Sequence, residues 1–321
     1  MLYKENLEEI IFQRHNVFRA DEIIVVSGYV GPKPIERLQT LPFRSTVVYG
    51  MYGAEGVKPF LHRSLTELQN TIGSLNIYYS KLPVHSKCYV WRYRGEIVHA
   101  LVGSANFSVN GLTTPYREIL AETTYDTFQP LNDYVQHVLN NSLSCLEATV
   151  TERTRLTKRT PQNEICLMTL LDPRTGEVPP TSGLNWGQNP NNHTNPNDAY
   201  IPIRAEHIRN FPELFPPKQI NPLTADSRGR FQRHNDSVEY IWDDGVNMEG
   251  LFEGSQPIDG VTHPKQASSF PSKSEIGEYL RDRLDVPRGQ PVRRHHLDAY
   301  GRTNVAVSLI SEGVYKFDFS V

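Results

Sequence analysis

Two short groups of residues in the first half of the chain could together cleave a phosphodiester. His85-Ser86-Lys87 places an imidazole two residues before an ammonium, and Gly103-Ser104-Ala105-Asn106 follows it. A neutral imidazole can attack phosphorus and form a covalent phosphohistidine, while lysine stabilises charge on the non-bridging oxygens. Glycine lets backbone amides approach a ligand, and serine and asparagine add neutral donors. This chemistry requires no metal and no cofactor.

The elements around these groups predict how they meet. Residues 84–91 are rich in β-branched and aromatic side chains, which indicates a strand with His85 and Lys87 on one face. A short hairpin at Arg94-Gly95-Glu96 and an apolar run at 97–102 predict a partner strand that ends at Gly103. The alternative is a strand with a solvated histidine and an unrelated tight turn. That alternative requires both groups to occur by accident.

The rest of the first half alternates strand and helix signals, which predicts an α/β domain. The predicted strands lie at 22–27, 45–49, 76–79 and 118–123. The predicted helices lie at 34–38, 57–69 and 128–146. Glycines at 50, 53 and 56 lack dinucleotide or P-loop spacing and predict only a turn.

Length and composition predict two domains. A chain of 321 residues exceeds what one core usually organises, and 38% hydrophobic residues suffice for two modest cores. We place a first domain at 1–150, a basic linker at 151–164 and a second domain at 165–321. The linker carries Arg153, Arg155, Lys158 and Arg159, which are typical of a solvated connection and could also touch phosphates. With a net charge of −3, any surface for nucleic acid must be a local patch.

Three cysteines without metal-ligand spacing, Cys88, Cys145 and Cys166, predict reduced thiols in a cytoplasmic protein. No secretion signal and no apolar stretch of membrane-spanning length is present, so we expect no membrane partner.

The second half has short β-type runs at 237–242, 305–309 and 314–319, which predict a small open barrel. Ser272-x-x-Glu275 predicts a capping box that starts one helix. Two loops, 182–198 and 252–274, are rich in residues that can read bases. An Asn-rich stretch is, however, more often merely a turn.

Residues 21–146 resemble the phospholipase D superfamily, whose motif is H-x-K followed by G-S-x-N. The resemblance implies that His85, Lys87, Ser104 and Asn106 are catalytic and that Glu118 is the accompanying acid, with Glu122 as the substitute. Arg92 stands where many members place an aspartate, which argues against lipid-type members. A superfamily site uses two histidines, yet this chain has one such motif, so we expect a homodimer that shares its active site.

The C-terminal half is similar to that of the NgoFVII family of Type II restriction endonucleases, through segments at 182–188, 200–203, 242–245, 278–284, 300–303 and 315–320. This resemblance implies an α/β phospholipase D-like nuclease domain followed by a mainly β pseudobarrel similar to the plant B3 domain. It implies metal-independent, sequence-specific cleavage of double-stranded DNA, with the two loops reaching into the major groove. The candidate DNA-binding residues on these loops are Trp186, Gln188, Asn189, Lys265 and Gln266. Some relatives act with a separate helicase-type ATPase, and this chain has no Walker motif of its own.

Two other functions stay open from the sequence. A non-cleaving, sequence-specific DNA-binding protein would fit a nuclease domain in which Arg92 replaces an expected acid. A phospholipase D-type lipid hydrolase would be expected to show a membrane-binding surface and two motifs per chain, and the sequence shows neither.

Overall fold

A computed structural model describes residues 1–148, 150, 165–190, 194–218, 220–225, 231–233 and 235–321. The chain divides into two compact units. The first comprises residues 1–160 and 310–314, and the second comprises 161–309 and 315–321. The basic linker predicted at 151–164 lies outside the described residues.

The first unit is built from eight strands and six α-helices within its described residues. Its strands are β1 (Leu2–Tyr3), β2 (Glu22–Ser27), β3 (Arg44–Tyr49), β4 (Leu75–Ser80), β5 (Lys87–Tyr93), β6 (Glu96–Gly103), β7 (Leu120–Glu122) and β8 (Ser142–Ser144). Its helices are α1 (Leu7–Gln13), α2 (Pro32–Arg37), α3 (Tyr52–Glu55), α4 (Pro59–Thr71), α5 (Val109–Thr113) and α6 (Phe128–Asn140).

The eight strands form one sheet in the order β1-β7-β6-β5-β2-β3-β4-β8. Strands β2, β3 and β4 are parallel, while β2 pairs with β5 in the antiparallel sense. The central strand β2 reads Glu-Ile-Ile-Val-Val-Ser and is buried after its first residue. A continuous apolar run of this kind is expected for a strand covered on both faces. The predicted α/β fold of the first domain is therefore confirmed.

Three predicted boundaries shift in the structure. Strand β5 begins at Lys87, so His85 lies in the extended segment before the strand and not within it. Glu118, predicted to start a strand, likewise lies before it, because β7 covers only Leu120–Glu122. Helix α6 ends at Asn140, where Asn141 leaves the helical conformation and the chain continues into β8. The first two shifts place both side chains in loops at the sheet edge.

The second unit contains eleven strands and three α-helices among the residues described. Its strands are β9 (Cys166–Thr169), β10 (Ile201–Pro202), β11 (Ile220–Ala225), β12 (Phe231–Arg233), β13 (Asp236–Trp242), β14 (Asn247–Glu253), β15 (Gln256–Ile258), β16 (Val261–His263), β17 (Gln266–Ser269), β18 (Asn304–Ser311) and β19 (Val314–Asp318). Its helices are α7 (Ala205–Asn210), α8 (Ser274–Arg283) and α9 (Arg294–Tyr300).

Seven of these strands form a nearly closed sheet in the order β10-β17-β14-β13-β19-β18-β9. Large buried side chains, including Tyr240, Trp242, Phe252 and Phe317, fill its interior. The helix predicted from Ser272-x-x-Glu275 is present as α8, but its N-cap is Lys273 and no side chain caps it. The predicted capping box is therefore wrong, although the helix is right. Among the described residues no helix is long and apolar enough to cross a membrane.

Candidate active site

The strand register brings the two predicted motifs side by side. Lys87, the first residue of β5, lies opposite Gly103, the last residue of β6. Gly103 in turn lies opposite Leu120 of β7. The segments before β5, after β6 and before β7 therefore meet at one edge of the sheet. These segments carry His85, Ser104, Asn106 and Glu118.

His85 and Lys87 form a contacting pair at this edge. The lysine Nζ lies 3.0 Å from His85 Nδ1 and 3.4 Å from Nε2, and it donates to the His85 carbonyl oxygen at 2.7 Å. His85 is exposed, whereas Lys87 is only 5% exposed. Burial lowers the pKa of Lys87, and the nearby carboxylate of Glu118 opposes that shift. Burial and the hydrogen bond to the His85 carbonyl oxygen therefore hold the lysine side chain against the histidine ring.

The turn after β6 offers a hydroxyl donor in a fixed place. A Cβ on Gly103 would lie 2.1 Å from the Ile119 carbonyl oxygen, so only glycine allows this approach. Next to it, the Ser104 N–H donates to Ile119 O at 3.0 Å, and the Ile119 N–H donates to Ser104 Oγ at 3.1 Å. Because the serine oxygen acts as the acceptor here, its hydroxyl hydrogen remains to donate to a ligand.

Asn106 is held by a segment that sequence reasoning did not assign to the site. The Tyr29 N–H donates to Asn106 Oδ1 at 3.2 Å. With the oxygen held in this way, the amide NH₂ is the group left to donate to a ligand. The signal in the sequence was a buried strand that ends at Ser27 and continues into Gly28 and Tyr29, which brings small and polar residues to the sheet edge.

Gly28 and Tyr29 also border the histidine. A Cβ on Gly28 would meet His85 Cδ2 at 3.2 Å and Lys87 Nζ at 3.4 Å, so glycine keeps space beside both side chains. The Tyr29 ring stands edge-on to the His85 ring, with centroids 6.0 Å apart. The Tyr29 hydroxyl donates to the Glu55 carboxylate, with both oxygens at 3.1 Å. Residues 27–29 therefore border the site, together with the segments before β5, after β6 and before β7.

The two candidate acids have different surroundings. Glu122 forms an ion pair with Arg14 and accepts a hydrogen bond from the Tyr3 hydroxyl at 2.6 Å. The Tyr3 hydrogen bond is the largest of the effects that lower the pKa of Glu122. Glu118 lies 4.0 Å from Arg117 Nε and close enough to Lys87 to influence its pKa. This arrangement favours Glu118, whose role as the site's acid stays a prediction.

Arg92 faces away from the candidate site. Lys87 and Arg92 are five positions apart on β5. Because successive side chains of a strand point to alternate faces of the sheet, the two side chains lie on opposite faces. The guanidinium donates to Asn132 Oδ1 of α6 at 2.6 Å and lies 3.8 Å from the Glu22 carboxylate. Burial lowers the pKa of Arg92. Arg92 therefore anchors a helix on the other side of the sheet, and its presence is no sign that the site is degenerate.

The first predicted DNA-reading loop is tied into the second unit. Trp186 lies under the Lys273 ammonium, 4.7 Å from the ring centroid. The Gln188 amide donates to the carbonyl oxygens of Pro196 at 2.9 Å and Gly289 at 3.0 Å. The Asn189 N–H donates to Trp186 O at 3.2 Å, and the residue is half-buried. Bidentate pairing of the Gln188 amide with a base would require its two hydrogen bonds to break.

The second predicted loop contains the hairpin β15–β16 and leads into β17. Gln266 donates to the buried Glu253 carboxylate at 2.8 Å, whereas Lys265 is exposed. The Glu253 carboxylate also pairs with the Lys273 ammonium at 2.7 Å, and that ammonium lies over the Trp186 ring. Gln266 and Trp186 therefore lie on either side of one ion pair, which brings the two predicted loops together. The assignment of these five residues to base contacts stays a prediction.

The described residues show neither a disulfide nor a group of metal ligands. The three cysteines are unbridged and buried, and burial raises the pKa of Cys88 to about 11. In the part of the chain that the structure describes, no three His, Cys, Asp or Glu residues group as metal ligands would.

The fold and the site define two classes of domain. An α/β sheet that sets an H-x-K motif beside a G-S-x-N turn makes the first unit a phospholipase D-like domain. The nearly closed, mainly β sheet makes the second unit a B3-like DNA-binding domain.

Family models match both parts of the chain. Residues 5–152 match the N-terminal PLD domain of the NgoFVII restriction endonuclease, and residues 157–311 match its C-terminal B3-like DNA-binding domain. The chain belongs to the NgoFVII restriction endonuclease family. The predicted family and the predicted fold of both domains are therefore confirmed.

Solved structures are similar to part of the chain. NucT from Helicobacter pylori is 16% identical, with a TM-score of 0.32, and the match covers 43% of this chain and 87% of NucT. A polyphosphate kinase from Porphyromonas gingivalis is 11% identical, with a TM-score of 0.30, and the match covers 43% of this chain and 21% of the kinase. Among curated protein sequences no match was found.

Proposed function

We propose that this protein is a Type II restriction endonuclease that cleaves double-stranded DNA at specific sequences, without a metal ion, as a homodimer. The observation that carries the proposal is the convergence of His85, Lys87, Ser104 and Asn106 at one sheet edge, with the lysine Nζ 3.0 Å from the histidine ring. A nucleophile, a cation and two neutral donors in one place are what phosphodiester cleavage through an enzyme-bound phosphate needs.

The reaction consists of two displacements at phosphorus. In the first, a His85 ring nitrogen forms a bond to phosphorus, and the bond from phosphorus to one bridging oxygen breaks. The leaving oxygen takes a proton from a second histidine. In the second, that histidine accepts a proton from water as the water oxygen attacks phosphorus. The phosphorus–nitrogen bond breaks, which releases His85 and a phosphomonoester end.

Each remaining side chain has a role in this scheme. Lys87, Ser104 and Asn106 stabilise charge on the non-bridging oxygens in the pentacovalent transition state. Glu118 keeps an imidazole of the site in the required orientation. In the single chain, Lys87 is the hydrogen-bond partner of the His85 ring, and Glu118 lies beside Lys87 and Arg117.

A second copy of the chain supplies the second histidine. His85 is exposed at the sheet edge, and Ile119, next to Glu118, is 46% exposed. An exposed aliphatic side chain beside a half-complete site suits a symmetric contact, in which one surface meets its own copy. The proposed dimer therefore brings two His85 side chains to one phosphate.

Incubating the purified protein with plasmid DNA in EDTA tests the activity. We expect discrete fragments from the wild-type protein and none from His85→Ala. A plasmid that migrates more slowly in a gel but stays intact would instead support a non-cleaving DNA-binding protein. Turnover of phosphatidylcholine in a parallel incubation would support a lipid hydrolase. Strict dependence on added magnesium would overturn the mechanism. Cleavage by the protein alone, without ATP, would show that no helicase-type ATPase partner is required.

Mixed dimers test whether the site is shared. Wild-type protein and His85→Ala are mixed in equal amounts, allowed to exchange subunits, and assayed at constant total protein. If each site needs two histidines, only wild-type dimers are active and the activity falls to about a quarter of the wild-type value. If each chain acts alone, the activity falls to about a half. A linear dependence on the wild-type fraction would therefore exclude a shared site.

For DNA recognition we propose the B3-like unit, with Lys265 as the first residue to test. Lys265 is exposed at the base of the β15–β16 hairpin, and a lysine there can contact phosphate or guanine. Lys265→Ala is compared with Lys316→Ala, because Lys316 lies on β19, outside both predicted loops, and pairs with the Asp318 carboxylate at 3.0 Å. Weaker binding for Lys265→Ala alone would support the proposal. Equal binding by Lys265→Ala and the wild-type protein would contradict it.

A further inference from the structure

Ser27 connects two of the segments that form the candidate site. It is the last residue of β2, is fully buried, and follows Val26, which lies opposite Cys88 of β5. Its hydroxyl oxygen accepts a hydrogen bond from the Phe107 N–H at 2.9 Å. Its hydroxyl lies 2.6 Å from the Tyr29 carbonyl oxygen and 3.4 Å from Asn106 Oδ1.

The distances decide how this hydroxyl is used. A serine hydroxyl has one hydrogen, and the Tyr29 carbonyl at 2.6 Å is the closer acceptor. The Phe107 N–H, which follows Asn106, then occupies the oxygen as a donor. The Ser27 side chain thereby fixes the backbone on both sides of the hydrogen bond from the Tyr29 N–H to Asn106 Oδ1.

We propose that Ser27 is a positioning residue, which orients the Asn106 amide so that its NH₂ donates to the scissile phosphate. The inference rests on the proposed phosphodiester cleavage and adds a residue to it. Without the Ser27 hydroxyl, the Tyr29 carbonyl and the Phe107 N–H lose their common partner, and the acceptor side of Asn106 is no longer fixed. A donor that is not held in place contributes less to the transition state than one that is preorganised.

A matched pair of alanine variants provides the first test. Ser45 is a second buried serine, one strand away on β3, and its hydroxyl oxygen has no hydrogen-bond partner among the described residues. Ser45 lies opposite Ile23 near the start of β2, whereas Ser27 lies opposite Tyr49 at its end, so the two serines occupy opposite ends of the strand pair. Ser45→Ala therefore controls for loss of a buried hydroxyl.

We expect Ser27→Ala to lower kcat about 10- to 100-fold, with little change in the Kd for uncleaved DNA, because the orientation of Asn106 matters mainly in the transition state. Ser45→Ala should cleave at the wild-type rate. Ser27→Thr, which keeps the hydroxyl, should recover most of the lost kcat. Equal kcat values for Ser27→Ala and Ser45→Ala would overturn the proposal, as would a loss in Ser27→Ala that Ser27→Thr does not recover.

A structural readout separates this inference from the proposed function. The side-chain amide signals of Asn106, assigned in ¹⁵N spectra by their loss in Asn106→Ala, report its orientation without any cleavage. We expect Ser27→Ala to shift or broaden these signals and Ser45→Ala to leave them in place. If the wild-type protein fails to cleave DNA, the proposed function fails, and the amide signals alone decide the role of Ser27. Unchanged Asn106 signals in Ser27→Ala would refute it.

Discussion

Two histidines in the first unit differ in their position relative to the sheet, their exposure and their hydrogen-bond partners. His85 lies at the sheet edge, is exposed, and has Lys87 Nζ 3.0 Å from Nδ1. His99 lies within β6, where its ring packs against Phe18 and Trp91 with centroids 4.9 Å and 5.4 Å away. Its Nε2 accepts a hydrogen bond from Arg14 Nε at 3.1 Å. The first ring is placed to react with a ligand, whereas the second is half-buried and already holds a hydrogen bond.

The surroundings also set the charge of His99. Burial, followed by the positive charge of Arg14, lowers the pKa of His99 to about 4. A neutral Nε2 can accept the Arg14 hydrogen bond, and a protonated one cannot. Arg14 is itself paired with Glu122. His99 therefore belongs to a polar group that holds the fold, and the same residue type serves chemistry only where the strand end leaves it open.

The largest expected effect separates the two histidines directly. His85→Ala removes the proposed nucleophile and general acid together, so kcat for DNA cleavage should fall by roughly 10⁴-fold or more. His99→Gln keeps an acceptor for Arg14 and should cleave within about threefold of the wild-type rate. Steady-state assays of both variants, with DNA binding measured in parallel, check this. A catalytic loss in His99→Gln as deep as that in His85→Ala would contradict the distinction.

Each of the two histidines has a cationic hydrogen-bond partner, which is Lys87 for His85 and Arg14 for His99. Lys87→Gln removes the cation beside His85, and we expect kcat to fall about 10²- to 10³-fold because charge on the non-bridging oxygens is no longer stabilised. Arg14→Gln, the matched change beside His99, should leave kcat nearly unchanged. The measurement is kcat at saturating DNA. Near-wild-type cleavage by Lys87→Gln would remove the lysine from the mechanism.

The sequence was sufficient to predict the convergence of the two motifs. Two strand signals with a short hairpin between them place Lys87 beside Gly103, because an antiparallel hairpin has a defined register. The exact start of the strand was not predictable, since His85 and Lys87 fit the alternation whether or not both lie within it. The border formed by residues 27–29 was missed because it comes from a strand that is distant in sequence and adjacent only in the sheet.

The second unit shows where composition misleads. Asn and Gln residues between 182 and 198 suggested base contacts, yet the Gln188 amide serves two backbone carbonyls of the unit, and Asn185 exchanges hydrogen bonds with Val292. Amides satisfy backbone groups in irregular segments as readily as they read bases. Only the fold shows that these partners are within reach, so residue type alone could not separate the two uses.

A smaller effect tests the two candidate acids. Glu118→Gln should lower kcat about 10-fold or more, because the proposed orienting carboxylate is neutralised. Glu122→Gln should leave cleavage near the wild-type rate and cost about 1 kcal/mol of unfolding free energy, since it breaks a partly exposed ion pair with Arg14. Cleavage assays and urea unfolding of both variants are the measurements. The reverse pattern, with cleavage lost only in Glu122→Gln, would reassign the acid.

The smallest expected effect is a pH dependence of stability that comes from His99. The pKa of His99 is about 4 in the folded chain against an ordinary value of 6.5, so the unfolded chain binds the proton more readily. The His99 contribution is therefore fully present above pH 6.5 and is lost as the pH falls from 6.5 toward 4. Because the ring is partly solvated, we expect a loss of about 1–2 kcal/mol.

Urea unfolding of wild-type protein and His99→Gln between pH 4.5 and 6.5 isolates this contribution, since Glu122, whose lowered pKa starts from 4.5, stays ionised there in the folded chain. The difference in unfolding free energy between the two proteins should shrink as the pH falls. A pH-independent difference for His99→Gln would mean that its ring is not kept neutral by the fold, and the contrast between the two histidines would then rest on position alone.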